Sequence, residues 1–316
     1  MLLRRLLFLV TIFIYGITQN FSLAAEEAMV YHREIDHSYA TINNQHFYMD
    51  IFTPAGTAPT YYQPGTQGKG FGIIQIVSGS WRSDRSRFNP HENAHVYNLL
   101  CARGYTVFAV RPGSRPDYSL LEMLDHIRVA IRYIKSHAEQ WDIDSEKLGI
   151  FGASAGGHLA ALTALEPQAA ITGSQDSILQ YDTSVAAVAL FFPPTDFLDW
   201  DGQNFLDFAP DYWDLFFSEA KSPKVIASIR KRVASLSPVH LVRGNHPPFF
   251  IVHGDADLIV PVTQSRKLVQ ALRQLNTDVN YQEIKGVGHN WITLPVQILD
   301  MVNWFDEQLS GELQNK

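Results

Sequence analysis

The chain has one cysteine, Cys101, in 316 residues, so an intramolecular disulfide is impossible. Cys101 sits in an apolar run with Leu99 and Leu100 and reads as a small buried hydrophobe. Positive charge is also scarce. Lys and Arg number 25 against 32 Asp and Glu, a formal charge of −7, and no basic run follows the first few residues. That balance argues against a nucleic-acid partner. No internal repeat is visible. The N-terminal apolar stretch, Leu6 to Ile17, is shorter than the roughly 20 residues of a membrane span. Arg4 and Arg5 precede it, and Ser22-Leu23-Ala24 follows with small residues at the two positions a signal peptidase reads. Residues 1–24 are therefore expected to be a signal peptide cleaved after Ala24. The mature chain is then periplasmic or extracellular and has no stable membrane span. No cysteine follows the cleavage point, which excludes a lipoprotein anchor.

Apolar residues are plentiful, at 46%, enough for a substantial core. Tyr31–Ile42 and His46–Phe52 alternate apolar and polar around Asn43-Asn44-Gln45 and predict a β-hairpin. Buried strands are expected at Phe71–Val77, Tyr105–Val110, Lys147–Phe151, Val185–Phe192, Pro248–His253 and Val279–Ile284. Helices are expected between them. Pro90–Arg103 reads as one helix, with Asn89 as cap, Glu92 closing a capping box and Gly104 as stop. Ser119 and Glu122 open a second helix, running to about His137. Two more are expected at Val262–Leu275 and Pro295–Leu309. Strands alternating with helices predict an α/β fold, a mostly parallel central sheet covered on both faces.

The most informative stretch is Leu148-Gly149-Ile150-Phe151-Gly152-Ala153-Ser154-Ala155-Gly156-Gly157-His158. It reads as a strand, a glycine-flanked serine and a helix, the form of a nucleophile elbow. A serine hydroxyl needs a histidine to take its proton and an acid to orient that histidine. In an α/β-hydrolase arrangement these follow the serine as acid, then His. His289, behind the last strand, is the histidine that follows every candidate acid. The acids are Asp196 after one strand and the pair Asp255 and Asp257 after the next, and the residues alone leave that choice open.

Several segments together resemble the α/β-hydrolases of the BD-FAE and hormone-sensitive-lipase-like esterase branch. They are Gly152-Ala153-Ser154-Ala155-Gly156-Gly157-His158-Leu159-Ala160, Ser237-Pro238-Val239, Pro247 through His253-Gly254-Asp255-Ala256-Asp257 to Val260-Pro261, and Gly288-His289. The resemblance runs from about Phe71 onward. It implies the α/β-hydrolase fold, a single domain over 25–316, and hydrolysis of carboxylic esters with no cofactor and no metal. It also implies Asp257 as the acid, with Asp255 a turn-former and Asp196 a loop cap. In the family an oxyanion loop His-Gly-Gly-Gly-Trp follows the first buried strand. Here the aligned stretch is Val77-Ser78-Gly79-Ser80-Trp81. The expected oxyanion donors are the N–H groups of Ala155, Gly79 and Ser80, with the serines an alteration that could weaken or redirect the hole. The expected substrate is a small-molecule or carbohydrate ester. The second half also resembles prolyl-oligopeptidase-type catalytic domains, so a serine peptidase is the alternative enzyme. A non-catalytic binding protein on the same fold is the alternative of another class. Oligomeric state is left open.

Two further features compete for attention. His91-Glu92-Asn93-Ala94-His95 fits a zinc-protease signature and on one helix would place both histidines on one face. Glu92 as a capping residue would be badly placed as a base, and no third ligand is evident, so no metal is expected. Residues from about 195 to 237 form an insertion crowded with aromatics, including Phe197, Trp200, Phe205, Tyr212 and Phe217. It is expected to cap the pocket, with packing against the sheet as the alternative.

Overall fold

The computed structural model describes residues 30–217, 223–289 and 294–310. The expected signal peptide lies outside these residues, as do Asn290 and Trp291 of the loop after His289. Strands β1 (Tyr31–Ile42) and β2 (Gln45–Pro54) form the expected antiparallel hairpin. Asn43 and Asn44 make its turn at φ 50° and 62°. A two-residue hairpin turn needs that left-handed backbone, and asparagine tolerates it.

Six strands follow: β3 (Gly72–Ile76), β4 (Thr106–Val110), β5 (Leu148–Ala153), β6 (Ala187–Phe191), β7 (Phe249–Gly254) and β8 (Val279–Ile284). All eight form one sheet in the order β1-β2-β4-β3-β5-β6-β7-β8. From β4 to β8 every pairing is parallel, and β2 joins β4 antiparallel. Every residue of β3, β4 and β7 is buried, as expected of strands covered on both faces.

The helices are α1 (Asn89–Asn93), α2 (Val96–Ala102), α3 (Leu120–Ser136), α4 (Ala155–Leu165), α5 (Phe205–Phe208), α6 (Pro223–Ala234), α7 (Thr263–Gln274) and α8 (Leu294–Ser310). One core joins α3, α4 and α7 to the sheet, and a second joins α2 and α8 to its other face. The Ser119–Glu122 capping box is present. Cys101 is buried in the second core.

The helix expected over Pro90–Arg103 is two helices. His95 at φ 56° breaks it between α1 and α2. Asn89 is itself helical and is not the N-cap of α1; Asp84 caps the start of the preceding 3-10 turn, accepting from the Ser86 N–H at 3.0 Å. Glu92 does not close a capping box. Its carboxylate accepts from Arg33 Nη1 at 2.8 Å. The Arg33 guanidinium lies 4.9 Å from the ring centres of both Phe52 and Phe88, and Glu92 shares it with the buried Asp50, which takes Nε and Nη2 at 2.9 and 2.8 Å. The break takes His91 and His95 off a common helical face. His95 Nδ1 meets the Tyr62 hydroxyl at 3.1 Å, while His91 turns to a different surface, described below.

The insertion packs as a cluster. Phe197 lies 5.1 Å from both Phe205 and Phe216, and stacks on Trp200 at 6.0 Å. Arg115 clamps it from the body of the fold, donating to Asp214 at 2.9 and 2.8 Å and lying 4.2 Å over the Tyr212 ring.

Candidate active site

The C-terminal ends of the parallel strands converge on Ser154. It ends β5 at φ 53°, ψ −122°, a strained backbone for a residue with a Cβ. The turn is this sharp because strand and helix nearly touch. A Cβ on Gly152 would stand 2.3 Å from the backbone of Gly156, and one on Gly156 would stand 2.4 Å from the Ile76 carbonyl oxygen. The Ser154 N–H donates to Phe191 O at 2.9 Å and the Gly156 N–H to Ser78 O at 3.2 Å. These bonds tie the elbow to the ends of β6 and β3. Behind it α4 is buried along its whole length, with the positive end of its dipole at Ser154.

His289 and Asp257 complete a hydrogen-bonded line. His289 Nε2 is 3.0 Å from Ser154 Oγ, and His289 Nδ1 is 2.7 Å from Asp257 Oδ2. The Asp257 side chain is fully buried. Its Oδ1 accepts the N–H groups of Ile259 at 2.8 Å and Val260 at 3.0 Å. A second imidazole, His253, brings Nε2 within 3.3 Å of Oδ2 while bonding Val260 O and Ser265 Oγ. Burial pushes the Asp257 carboxyl upward, but hydrogen bonds from His253, His289 and the Val260 N–H outweigh it and hold the group well below the carboxylate range. It stays ionised at neutral pH.

The competing acids lie elsewhere. Asp255 Oδ1 accepts the Gly286 N–H at 2.6 Å, tying the end of β7 to the turn after β8. Asp196 caps its own loop, accepting from the N–H groups of Leu198 and Asp199, and meets His240 and Lys267. Neither touches His289.

The oxyanion segment differs from expectation at one position. Ser80 and Trp81, at φ 51° and 56°, form a two-residue turn. It is closed by Gly79 N–H to Arg82 O at 2.9 Å and Arg82 N–H to Gly79 O at 3.0 Å. The Gly79 N–H is thus engaged in the turn. The N–H groups of Ser80 and Ala155 have no hydrogen-bond partner among the described residues. Trp81 anchors the turn from behind. Its Nε1–H donates to His158 Nδ1 at 3.1 Å, and His158 Nε2 donates to Leu236 O at 2.8 Å. Burial lowers the His158 pKa to about 4, so that imidazole is neutral.

Ser154 and His289 open onto a cavity of about 260 Å³. Its apolar wall includes Ala94, Val96, Phe151, Phe191, Leu294 and Ile298. No described residue from 195 to 237 lines it; its wall comes from α1, α2, α8 and the strand ends. The insertion packs on Trp81, with Phe197 and Tyr212 5.8 and 5.7 Å from the indole. Arg87 and His91 also line the cavity. Sequence reasoning assigns neither residue a role: His91 enters only as part of a zinc signature that is set aside, and Arg87 is not singled out. No cluster of metal-ligating residues occurs among the described residues.

Comparison with known proteins agrees with this architecture. Residues 59–272 match the BD-FAE family model. Esterase LipC of Mycobacterium tuberculosis is 28% identical over 223 residues, covering 69% of this chain and 52% of LipC. The probable carboxylic ester hydrolase LipM of the same organism is 27% identical over 218 residues, covering 69% and 48%. The chain thus spans about half the length of these relatives. A truncated carbohydrate esterase from gut microbiota superposes with a TM-score of 0.70 at 24% identity, covering 91% of this chain and 99% of that one. The butyrate-bound esterase Est2 of Thermogutta terrifontis superposes at 0.65 and 20% identity, covering 91% and 97%. At such identities the superpositions establish the fold, that of the α/β-hydrolases.

Proposed function

Because this chain belongs to the BD-FAE family, we propose that it is a serine carboxylic ester hydrolase acting on small-molecule or carbohydrate esters. The observation that carries the reading is the unbroken line from Ser154 Oγ through His289 to the buried carboxylate of Asp257, opening on a cavity sized for one arm of an ester. The relatives named as esterases and the neighbour named as a carbohydrate esterase support the same class.

In this reading Ser154 Oγ attacks the ester carbonyl carbon as His289 Nε2 takes its proton. Asp257 holds the ring so that Nε2 is the basic nitrogen, and its charge stabilises the imidazolium that forms. The carbonyl oxygen, now an oxyanion, receives the N–H groups of Ala155 and Ser80. His289 returns the proton to the departing alcohol, leaving an acyl-Ser154. Water, activated by His289, then releases the acid and restores the serine. A preformed turn at Ser80 means little rearrangement is needed at the moment of reaction.

Ser154→Ala is expected to lower kcat on aryl acetates by about 10⁴-fold or more while leaving far-UV circular dichroism and Tm close to those of the parent. Retention of more than about a hundredth of the activity would remove Ser154 from the role of nucleophile. Export belongs to the same proposal. N-terminal sequencing of protein recovered from the periplasm or medium should begin at Ala25; an intact Met1 on membrane-bound protein would make the leader an anchor.

A further inference from the structure

The wall of the Ser154 cavity contains no Asp or Glu among the described residues, and its one fixed charge is Arg87. The guanidinium is only partly engaged. Nε donates to Asp84 Oδ2 at 3.2 Å, and Nη1 and Nη2 have no partner among the described residues. The side chain lies along the oxyanion turn. Its Cδ is 3.1 Å, and its Nη1 3.5 Å, from where a Cβ on Gly79 would stand. The next polar lining residue on this segment is His91. Its ring nitrogens have no hydrogen-bond partner among the described residues, and burial holds its pKa down to about 4.

We propose that the cavity selects esters that carry a free carboxylate, paired by the two terminal nitrogens of Arg87. The proposal rests on the esterase reading and adds the substrate's charge to it. A guanidinium offers two parallel N–H donors that match the two oxygens of a carboxylate, and the pair is stronger than neutral hydrogen bonds. Asp84 occupies the Nε edge, so the Nη edge is open to a ligand without displacing it. His91, uncharged at neutral pH, adds a hydrogen-bonding group without a second positive charge. The apolar wall opposite accommodates the methylene or aromatic spacer between ester and carboxylate. The protein's net negative charge gives such a substrate no general attraction, so selection depends on this local cation.

The carboxylate can sit on either side of the ester, and two matched pairs separate the cases. Monoethyl adipate against ethyl heptanoate places it on the acyl side. 3-Acetoxybenzoate against 3-acetoxytoluene places it on the alcohol side. The expected result is a higher kcat/KM for the carboxylate member of at least one pair. Arg87→Gln should then reduce that value by about 10–100-fold more than it reduces the value for the neutral member. Arg87→Lys should recover part of the difference, since it restores charge without the fork. Equal losses on both members of each pair, or no preference for the carboxylate in either pair, would overturn the proposal. Calorimetry on Ser154→Ala tests binding without turnover. Tighter binding of monoethyl adipate or 3-acetoxybenzoate than of its neutral match, lost on adding Arg87→Gln, supports the anion site even if no ester is hydrolysed. Hydrolysis of the neutral esters with no arginine-dependent binding sinks the anion site and leaves the esterase reading standing.

Discussion

At the scale of single residues, the site depends on what Asp257 is bonded to. Two imidazoles and two backbone N–H groups converge on one buried carboxylate, and together they overcome the cost of burying its charge. Asp257→Asn keeps a hydrogen bond to the ring but favours the wrong tautomer, so kcat should fall about 10⁴-fold. Asp255→Asn and Asp196→Asn should cost far less, because neither carboxylate reaches His289. Comparable losses at Asp196 would move the acid to that loop. The same carboxylate carries a pH signature. Its pKa is below the ordinary 3.8 in the fold, so its stabilising bonds are complete above about pH 4 and fade as pH falls below that. The stability advantage of the parent over Asp257→Asn, measured by urea unfolding, should therefore shrink between about pH 5 and pH 2. A gap that widens on acidification would contradict the assignment. Ser78 offers a separate test. Its Oγ is buried with no partner among the described residues, so Ser78→Ala should be neutral to stabilising, by up to about 1 kcal/mol in thermal unfolding.

At the scale of elements, the elbow is made by contact between backbones. Gly152 and Gly156 face each other where β5 meets α4, and neither tolerates a methyl group because the neighbouring atoms are main chain. Gly156→Ala should destabilise the protein by about 3 kcal/mol, read as a fall in the urea midpoint, since the Ile76 carbonyl cannot swing aside as a side chain could. A variant of parental stability would mean that α4 can shift away from the sheet. This element was legible in the sequence because its signals are local: strand, Gly-x-Ser-x-Gly, helix. The Pro90–Arg103 helix was misread for the opposite reason. Asn89, Pro90 and Glu92 are good local start signals, yet Glu92 answers to Arg33, which lies 59 residues away on β1. A remote counter-charge and the left-handed residue His95 outrank local capping preference. That break separates His91 from His95 and leaves His91 in the cavity wall.

At the scale of the whole molecule, the insertion is joined to the Ser154 face of the sheet through Trp81. The indole bonds His158 on α4, His158 bonds Leu236 at the end of the insertion, and the aromatics of the insertion surround the indole. Trp81→Ala should loosen the insertion before it loosens the sheet. Limited proteolysis should then cut within residues 195–237 at protease levels that leave the parent intact, while β-sheet circular dichroism persists. Simultaneous loss of both would mean that the insertion and the sheet unfold as one unit.

The sequence by itself determined the succession of strands, the hairpin around Asn43-Asn44 and the strand–serine–helix turn at Ser154. Each is written in neighbouring residues or in the succession of elements, where turn chemistry and apolar periodicity act over short distances. Only the tertiary structure decided that Gly79 spends its N–H within the turn, that the Asp257 carboxylate meets both His289 and His253, and that Arg87 and His91 face the cavity. Those outcomes depend on where a backbone N–H, a carboxylate or a guanidinium finds a partner in three dimensions. The partners of Asp255, Asp257 and Ser154 lie 31, 32 and 135 residues away, where no local propensity reaches.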